Sequence, residues 1–418
     1  MNQGNKSSQS IPCQDLLSHK EILEKILTEN IIPFWYPEVM DYEEGGYRLN
    51  HDLQGKWKGR ANKSLVAQAR TVWFFSRLVN SEYGTWDHLK AAKHGYEFLR
   101  VRMWDKQYGG FFWEVDSSGK IPTKPAKHLY GQAFALYALS EFALASGDSS
   151  AEKLAHELFC FLEEKAHDAQ YGGYLEFFQR NWTPVVDGVK SYLSSSPSMK
   201  LMNTHLHLME AITTYHHITQ DTLSRERLIE LILVLSSAVR CETICACTDK
   251  YKRDWTPIDK LTKDCISYGH ILENIWLLIT ACSTAGISNG PLLNFYHNLF
   301  QYAVRFGQDK KKGGFYYTGS YNAMASGREK VWWVQAEALM SSLQMYLLTG
   351  EEVYFQCFSR ILEWIKRYQI DWEFGDWHAK VNKRGKPSGD KAGAWKTPYH
   401  NGRAIIECIQ LLKHMAES

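Results

Sequence analysis

"QYGGFFWEVDSSGK", from Gln107 to Lys120, reads as a tight reversal: a Gly pair, aromatic residues, then a polar turn. Its recurrence decides the fold. "EEGGYRLNHDLQGK" begins at Glu43, "AQYGGYLEFFQRNW" at Ala169, "KKGGFYYTGSYN" at Lys311, and a weaker copy, "EFGDWHAKVNKRGK", at Glu373. The first glycines stand at Gly45, Gly109, Gly172, Gly313 and Gly375, so three of the four intervals are nearly equal. The interval from Gly172 to Gly313 is about twice the others, so one copy has degenerated, and its place is expected near "TDKYKRDWTPID", Thr248 to Asp259. Six units then fill the chain, and self-similarity at a fixed long period is the mark of a repeat architecture.

The stretches between reversals, such as "SLVAQARTVWFFSRLV", "YGQAFALYALSEFAL" and "VWWVQAEALMSSLQMYLL", carry apolar residues at helical spacing. Each unit has room for two helices and one short hairpin. Six such pairs give an all-α protein, either an open solenoid or a closed ring of six inner and six outer helices. Polar residues decide between them. Arg70, Glu337 and His400 stand at nearly the same distance past the first Gly of their own units, Gly45, Gly313 and Gly375. His207, His270 and Trp333 follow one another at the unit spacing, and His400 follows Glu337 at the same spacing. Repeats that needed only a core would supply Leu and Ala there. In a closed barrel these positions converge on one axis as a deep cavity, the hairpins form its rim, and Gly supplies the positive φ that each reversal demands.

Composition excludes several classes. Forty-eight basic and 46 acidic side chains leave a net charge of +2, without the basic excess of a nucleic-acid binder. The opening "MNQGNKSSQSIPCQDLLSHK" has no apolar signal-peptide core, and no later run reaches a membrane-spanning length. A soluble cytoplasmic protein without nucleic-acid or membrane partners is expected, with residues 1–18 as a loosely attached tail and 19–418 as one catalytic domain, monomeric or homodimeric. Nine cysteines without regular spacing read as reduced thiols; the "CETICAC" cluster of Cys241, Cys245 and Cys247 lacks a fourth zinc ligand.

"SYGHILENIW" sets His270, Glu273 and Trp276 at offsets of three and six, read as one helix face, and "NTHLHLMEA" does the same for Asn203, His207 and Glu210. His205 and His207, two apart on a helix, diverge by about 200° and cannot share a metal ion. No metal or cofactor is expected. A Gly-x-Ser-x-Gly turn and a phosphate-cradling loop are both missing from the sequence. What remains is a cavity rich in His, Glu, Arg and Trp, suited to proton transfer by His270 and His400 or to glycosidic hydrolysis by Glu273 and Glu337. The histidine excess favours proton transfer. A non-catalytic sugar-binding barrel is the alternative outside enzymes.

"MNTHLHLMEA", "SYGHILENIWLL", "KVWWVQAEAL" and "WKTPYHNGR" together resemble the N-acylglucosamine 2-epimerase superfamily, most of all its cellobiose and mannose 2-epimerases, from about Ile31 to Arg403. The resemblance implies an (α/α)6 barrel that interconverts aldoses epimeric at C2, or isomerises aldose to ketose, with no metal or nucleotide in the chemistry. It further implies His270 and His400 as the acid/base pair, His207 as a helper in ring opening, Arg70 and Asn203 as ligands of the sugar oxygens, and Glu273 and Glu337 as their orienting partners. Trp333 and Trp395 would be stacking walls, and Tyr130 matches a family site position; Trp276 is grouped with them as a sugar contact. "AQARTVW" around Arg70 resembles the N-acylglucosamine version of its motif, whereas "PYHNGR" resembles the cellobiose version.

Overall fold

The computed structural model describes residues 11–185, 188–193, 195–238, 246–258 and 266–417. Thirteen α-helices run through them: α1 Cys13–Lys25, α2 Ile32–Trp35, α3 Leu65–Val79, α4 Trp86–Phe98, α5 Leu129–Ser146, α6 Ser149–Lys165, α7 Met202–Thr219, α8 Thr222–Leu233, α9 Tyr268–Ala285, α10 Leu293–Gly307, α11 Trp332–Thr349, α12 Glu352–Trp364 and α13 Tyr399–Glu417. Helices α3, α5, α7, α9, α11 and α13 each pack on the next, and α13 returns to α3. The ring is closed, an (α/α)6 barrel. The outer helices α4, α6, α8, α10 and α12 each pack on the inner helix before them in sequence, while α1 packs on α13.

The two rings differ in sequence because they differ in surroundings. From Leu129 to Phe142 every residue of α5 is buried, as befits a helix enclosed on all sides, whereas α12 buries only a stripe through Tyr354, Phe358 and Ile361. The expected tail boundary at residue 18 is corrected here: α1 begins at Cys13, and Leu16 joins Leu23 in its buried face against α13. Those two apolar residues, seven apart on one helix, give the segment a face to bury.

A buried lock holds each reversal. In the five described reversals an Asp stands four residues before the first Gly, and a Lys reaches back to it from two residues ahead of the following inner helix, or eight ahead for Lys391: Lys63 to Asp41 at 2.7 Å, Lys127 to Asp105 at 3.0 Å, Lys200 to Asp168 at 2.9 Å, Lys330 to Asp309 at 2.8 Å and Lys391 to Asp371 at 2.8 Å. Buried ions are tolerable only when paired and hydrogen-bonded, and four of these lysines also donate to the first-Gly carbonyl, at Gly45, Gly172, Gly313 and Gly375. The inner helix adds a second clasp. Gln68 exchanges two hydrogen bonds with the Tyr47 backbone, as Gln132 does with Phe111 and Gln335 with Phe315. In α7, His205 Nε2 takes this place by accepting from the Tyr174 amide at 2.9 Å. Gly109 and Gly110 sit at φ of 70° and 67°, and a Cβ on Gly109 would meet the Phe161 ring, so both positive φ and close approach require glycine.

The rim strands are two or three residues long and mostly join neighbouring units; Lys63–Ser64, for example, pairs antiparallel with Glu114–Val115. They also place the degenerate copy. Strand Lys250–Tyr251 begins three residues after Cys247, the offset at which Glu114 follows Phe111 and Phe177 follows Tyr174. The degenerate copy therefore falls ahead of Cys247 in register, earlier than Thr248–Asp259, and residues 239–245, with Cys241 and Cys245, lie outside the described residues. "RDWTP" at Arg253–Pro257 instead repeats "RNWTP" at Arg180–Pro184: Trp182 and Trp255 share φ near 65°, and Arg180 pairs with Asp105 as Arg253 does with Asp168.

Candidate active site

All six inner helices begin at the rim, so their first turns surround one end of the axis. There they line a cavity of about 460 Å³, a size normal for a small-molecule site. Its upper wall comes from the second or third residue of five helices: Tyr130, Asn203, His270, Trp333 and His400. One turn deeper, Arg70 of α3 and His207 of α7 still reach it, and half-exposed Trp395 stands at its mouth. Eight of the eleven site residues named from sequence meet here; Glu273, Glu337 and Trp276 do not line the cavity.

The two carboxylates lie beneath. Glu273 and Glu337, like Glu210, are fully enclosed and surround the guanidinium of Arg403. Arg403 Nη2 donates to Glu273 Oε1 and Glu337 Oε1 at 2.7 Å each, and Nη1 donates to Glu210 and to Tyr399. Two of these acids also serve cavity residues. His400 Nδ1 lies 2.6 Å from Glu337 Oε1, and His207 Nδ1 lies 3.0 Å from Glu210 Oε2. Because Glu337 already accepts from Arg403 and from Trp276 Nε1 at 2.8 Å, the network assigns the Nδ1 proton to His400 and leaves Nε2 as the free base. His270 is held differently. Its ring lies 4.8 Å from that of Trp333, which in turn lies 5.6 Å from His400, and its nitrogens have no partner among the described residues.

The electrostatics follow from burial around one fixed cation. Burial pushes His270 down to about 4. Burial, then the charges of Arg70 and Arg403, holds His400 well below the ordinary imidazole value. Both rings are thus neutral bases at neutral pH. Burial and the neighbouring Glu337 push Glu273 up to about 7. Burial would raise Glu210 as well, but the Arg403 charge and the His207 and Tyr399 hydrogen bonds outweigh it and hold that carboxyl at about 2.

Arg70 Nη2 donates to the Tyr130 hydroxyl at 3.0 Å, its guanidinium lies 4.2 Å from the Phe134 ring centroid and 4.8 Å from that of Tyr399, and its Nε is buried without a partner among the described residues. A rigid fork with an unused donor is suited to an anionic oxygen. Asn203 is set by its own amide, which donates to Asp249 Oδ1 at 3.0 Å, and its side-chain oxygen is also unpartnered.

Three expectations need correction. Trp276 does not line the sugar cavity; it sits under the floor, donating to Glu337. Six residues beyond His270 carry the helix about 9 Å down the axis and about 120° round it, so the offset of six does not keep one face. The common spacing of His207, His270 and Trp333 does not index equivalent positions either. Inner helices start at 65, 129, 202, 268, 332 and 399, so unit length varies, and His207 is the sixth residue of its helix while His270 is the third. Glu273 and Glu337, the candidate hydrolase pair, both clasp one Arg403 nitrogen below the cavity and leave no room for a sugar between them. The same contact bears on metal binding. Ligand atoms of Glu273, Glu337 and His400 lie within 4.8 Å of one another, yet Arg403 Nη2 already bonds Oε1 of both carboxylates and places a fixed positive charge beside them. Arg403, Glu210 and Tyr399 went unassigned from sequence, although Arg403 follows His400 by three residues, as Glu273 follows His270 and Glu210 follows His207.

The chain resembles known proteins over nearly its whole length. The family model described as N-acylglucosamine 2-epimerase (GlcNAc 2-epimerase) matches residues 45–404. A cellobiose 2-epimerase of Ruminococcus albus is 33% identical over 92% of this chain and 96% of its own. The D-mannose isomerase of Marinomonas mediterranea is 25% identical over 92% and 95%. Among solved structures, cellobiose 2-epimerase from Bacillus thermoamylovorans superposes with a TM-score of 0.87 at 30% identity, covering 94% of this chain and 99% of that one.

Proposed function

Because the chain belongs to the N-acylglucosamine 2-epimerase family, whose named relatives here are carbohydrate epimerases and isomerases, we propose that it epimerises gluco- and manno-configured aldoses at C2, with a cellobiose-type disaccharide as substrate. The observation that carries this reading is two neutral imidazoles, His270 and His400, presented to one cavity from helices two places apart in the ring.

The C2 proton of an open-chain aldose is acidic because the C1 carbonyl can take the charge as an enediolate. One imidazole removes the proton, and the C2–H electrons move into the C1–C2 bond and onto O1. Arg70 and the six inner-helix N-termini, whose dipoles point at the cavity, stabilise that oxyanion. The negative intermediate raises both imidazole pKa values, so the ring on the opposite face takes up a proton from water and delivers it to C2, and the first ring then releases the abstracted proton to solvent. Glu337 fixes the tautomer of His400 throughout. His207, backed by Glu210, accepts the anomeric hydroxyl proton and passes it to O5 as the C1–O5 bond breaks and the sugar ring opens. Trp333 forms the stacking wall, Asn203 and Tyr130 hold hydroxyls, and Trp395 at the mouth supports the second sugar unit.

The similarity to a D-mannose isomerase gives a second reading, in which the same enediolate is protonated at C1. Incubation with cellobiose, mannose and N-acetylglucosamine separates them. Conversion of cellobiose to its C2 epimer is expected. A ketose as main product, or turnover of N-acetylglucosamine alone, would overturn the proposal.

A further inference from the structure

The barrel axis holds a second cavity. It lies at the far end, behind the Arg403 layer, measures about 220 Å³, and takes residues from all six inner helices. Exposed His217 and Leu144 stand at its edge, so it opens to solvent on the side opposite the catalytic cavity. Arg403 and Glu210 form the partition between the two.

Its chemistry is specific. Two residues of its wall, Trp73 and Arg403, each carry a buried N–H donor, Nε1 and Nε, with no hydrogen-bond partner among the described residues, and the two residues are 2% and 1% exposed. Groups so enclosed are almost always satisfied. The carboxylates of its wall are already partnered: Arg77 Nε donates to Glu407 Oε1 at 2.7 Å, Arg77 Nη1 lies 3.7 Å from Glu141 Oε1, and Arg403 holds Glu210. Thr213, Thr280 and the aromatic side chains Trp73, Tyr137 and Trp276 complete the lining. With its charges paired within the wall, the cavity suits a neutral molecule whose groups both donate and accept. Hydroxyls do so, and the aromatic walls suit the C–H face of a polyol better than water alone. The volume holds about seven waters at roughly 30 Å³ each, or one hexose-sized molecule.

We propose that this rear cavity is a second binding site, for one neutral monosaccharide-sized polyol, which completes the hydrogen bonding of Trp73 and Arg403 from behind the catalytic floor. The probe is 1,5-anhydroglucitol, which has no anomeric hydroxyl and cannot enter the reaction. With 5-fluorotryptophan incorporated, fluorine NMR reports Trp73 for the rear site and Trp333 for the front, each resonance assigned by its loss in Trp73→Phe or Trp333→Phe. The Trp73 signal should shift saturably. In Thr213→Leu/Thr280→Leu, which fills the rear cavity, that shift should vanish while the Trp333 response is kept; Thr280→Met alone should weaken it at least tenfold. A Trp73 signal that does not move, with only Trp333 responding, would mean the rear cavity holds water alone and would overturn the proposal, as would a Trp73 shift that survives filling. None of these readouts needs turnover, so they stand or fall apart from the epimerase assignment.

Discussion

Replacing Arg403 by Met removes the one cation shared by Glu210, Glu273 and Glu337 while roughly conserving volume. Two routes give the cost. Breaking a buried ion pair from one side costs about 3–5 kcal/mol, because the partner charge is left uncompensated. Independently, the native carboxyl of Glu210 stands at about 2 against a reference of 4.5, and a depression of that size is worth about 3 kcal/mol at neutral pH. The pH dependence is the sharper test. In the native protein the depressed Glu210 contributes stability that is present above 4.5 and lost as pH falls toward 2. In the variant the same carboxyl, buried without its cation, has a folded pKa above 4.5, so its penalty is absent below 4.5 and grows as pH rises through that value. Urea denaturation of both proteins from pH 2 to pH 7 should show a stability gap of about 1 kcal/mol or less at pH 2, widening to about 3–5 kcal/mol at pH 7. A gap that stays constant with pH, or below about 1 kcal/mol at pH 7, would refute the shared-cation account.

His270→Ala and His400→Ala should each lower kcat by about a hundredfold or more with thermal midpoints close to that of the parent; either variant keeping a tenth of the activity would remove that residue from proton transfer. Since burial puts His270 near 4, and a base fails as pH drops through its own pKa, kcat/KM should hold from neutrality to about pH 5 before falling; an acid limb centred near 6.5 would show an ordinary, solvated imidazole. Exhaustive chelation should leave activity unchanged, because the Arg403 guanidinium, bonded to Oε1 of both Glu273 and Glu337, already supplies the positive charge between them; loss on chelation with recovery on adding a divalent cation would refute this.

The sequence disclosed the architecture because the device that builds it is local. Each reversal needs Gly at positive φ, and the Asp four residues before it and the Lys ahead of the next helix recur with it at Asp41, Asp105, Asp168, Asp309 and Asp371. The upper wall was legible in part: His270, Trp333 and His400 stood out in the unit spacing and Asn203 on a helix face, whereas Tyr130 was named only through the family resemblance. Depth was not legible. Trp276 reads like a neighbour of His270 in sequence but points beneath the floor, since helical position fixes height along the axis as well as direction. The floor was hidden further because Glu210, Glu273, Glu337 and Arg403 come from four helices, and which acids share a guanidinium depends on how the ring closes. The rear cavity is a matter of side-chain volume across six helices, to which no single motif contributes.

In the proposed mechanism His270 and His400 face opposite sides of C2. It is tested most directly by incubating each purified C2 epimer in deuterated water with the parent protein, His270→Ala and His400→Ala, and following deuterium at C2 by NMR before equilibrium. The parent should yield the opposite epimer labelled at C2, and each variant should fail to epimerise yet still exchange the C2 proton of one epimer, a different one for each variant. Loss of exchange for both epimers in both variants, or label appearing at C1 of a ketose, would contradict the two-base account.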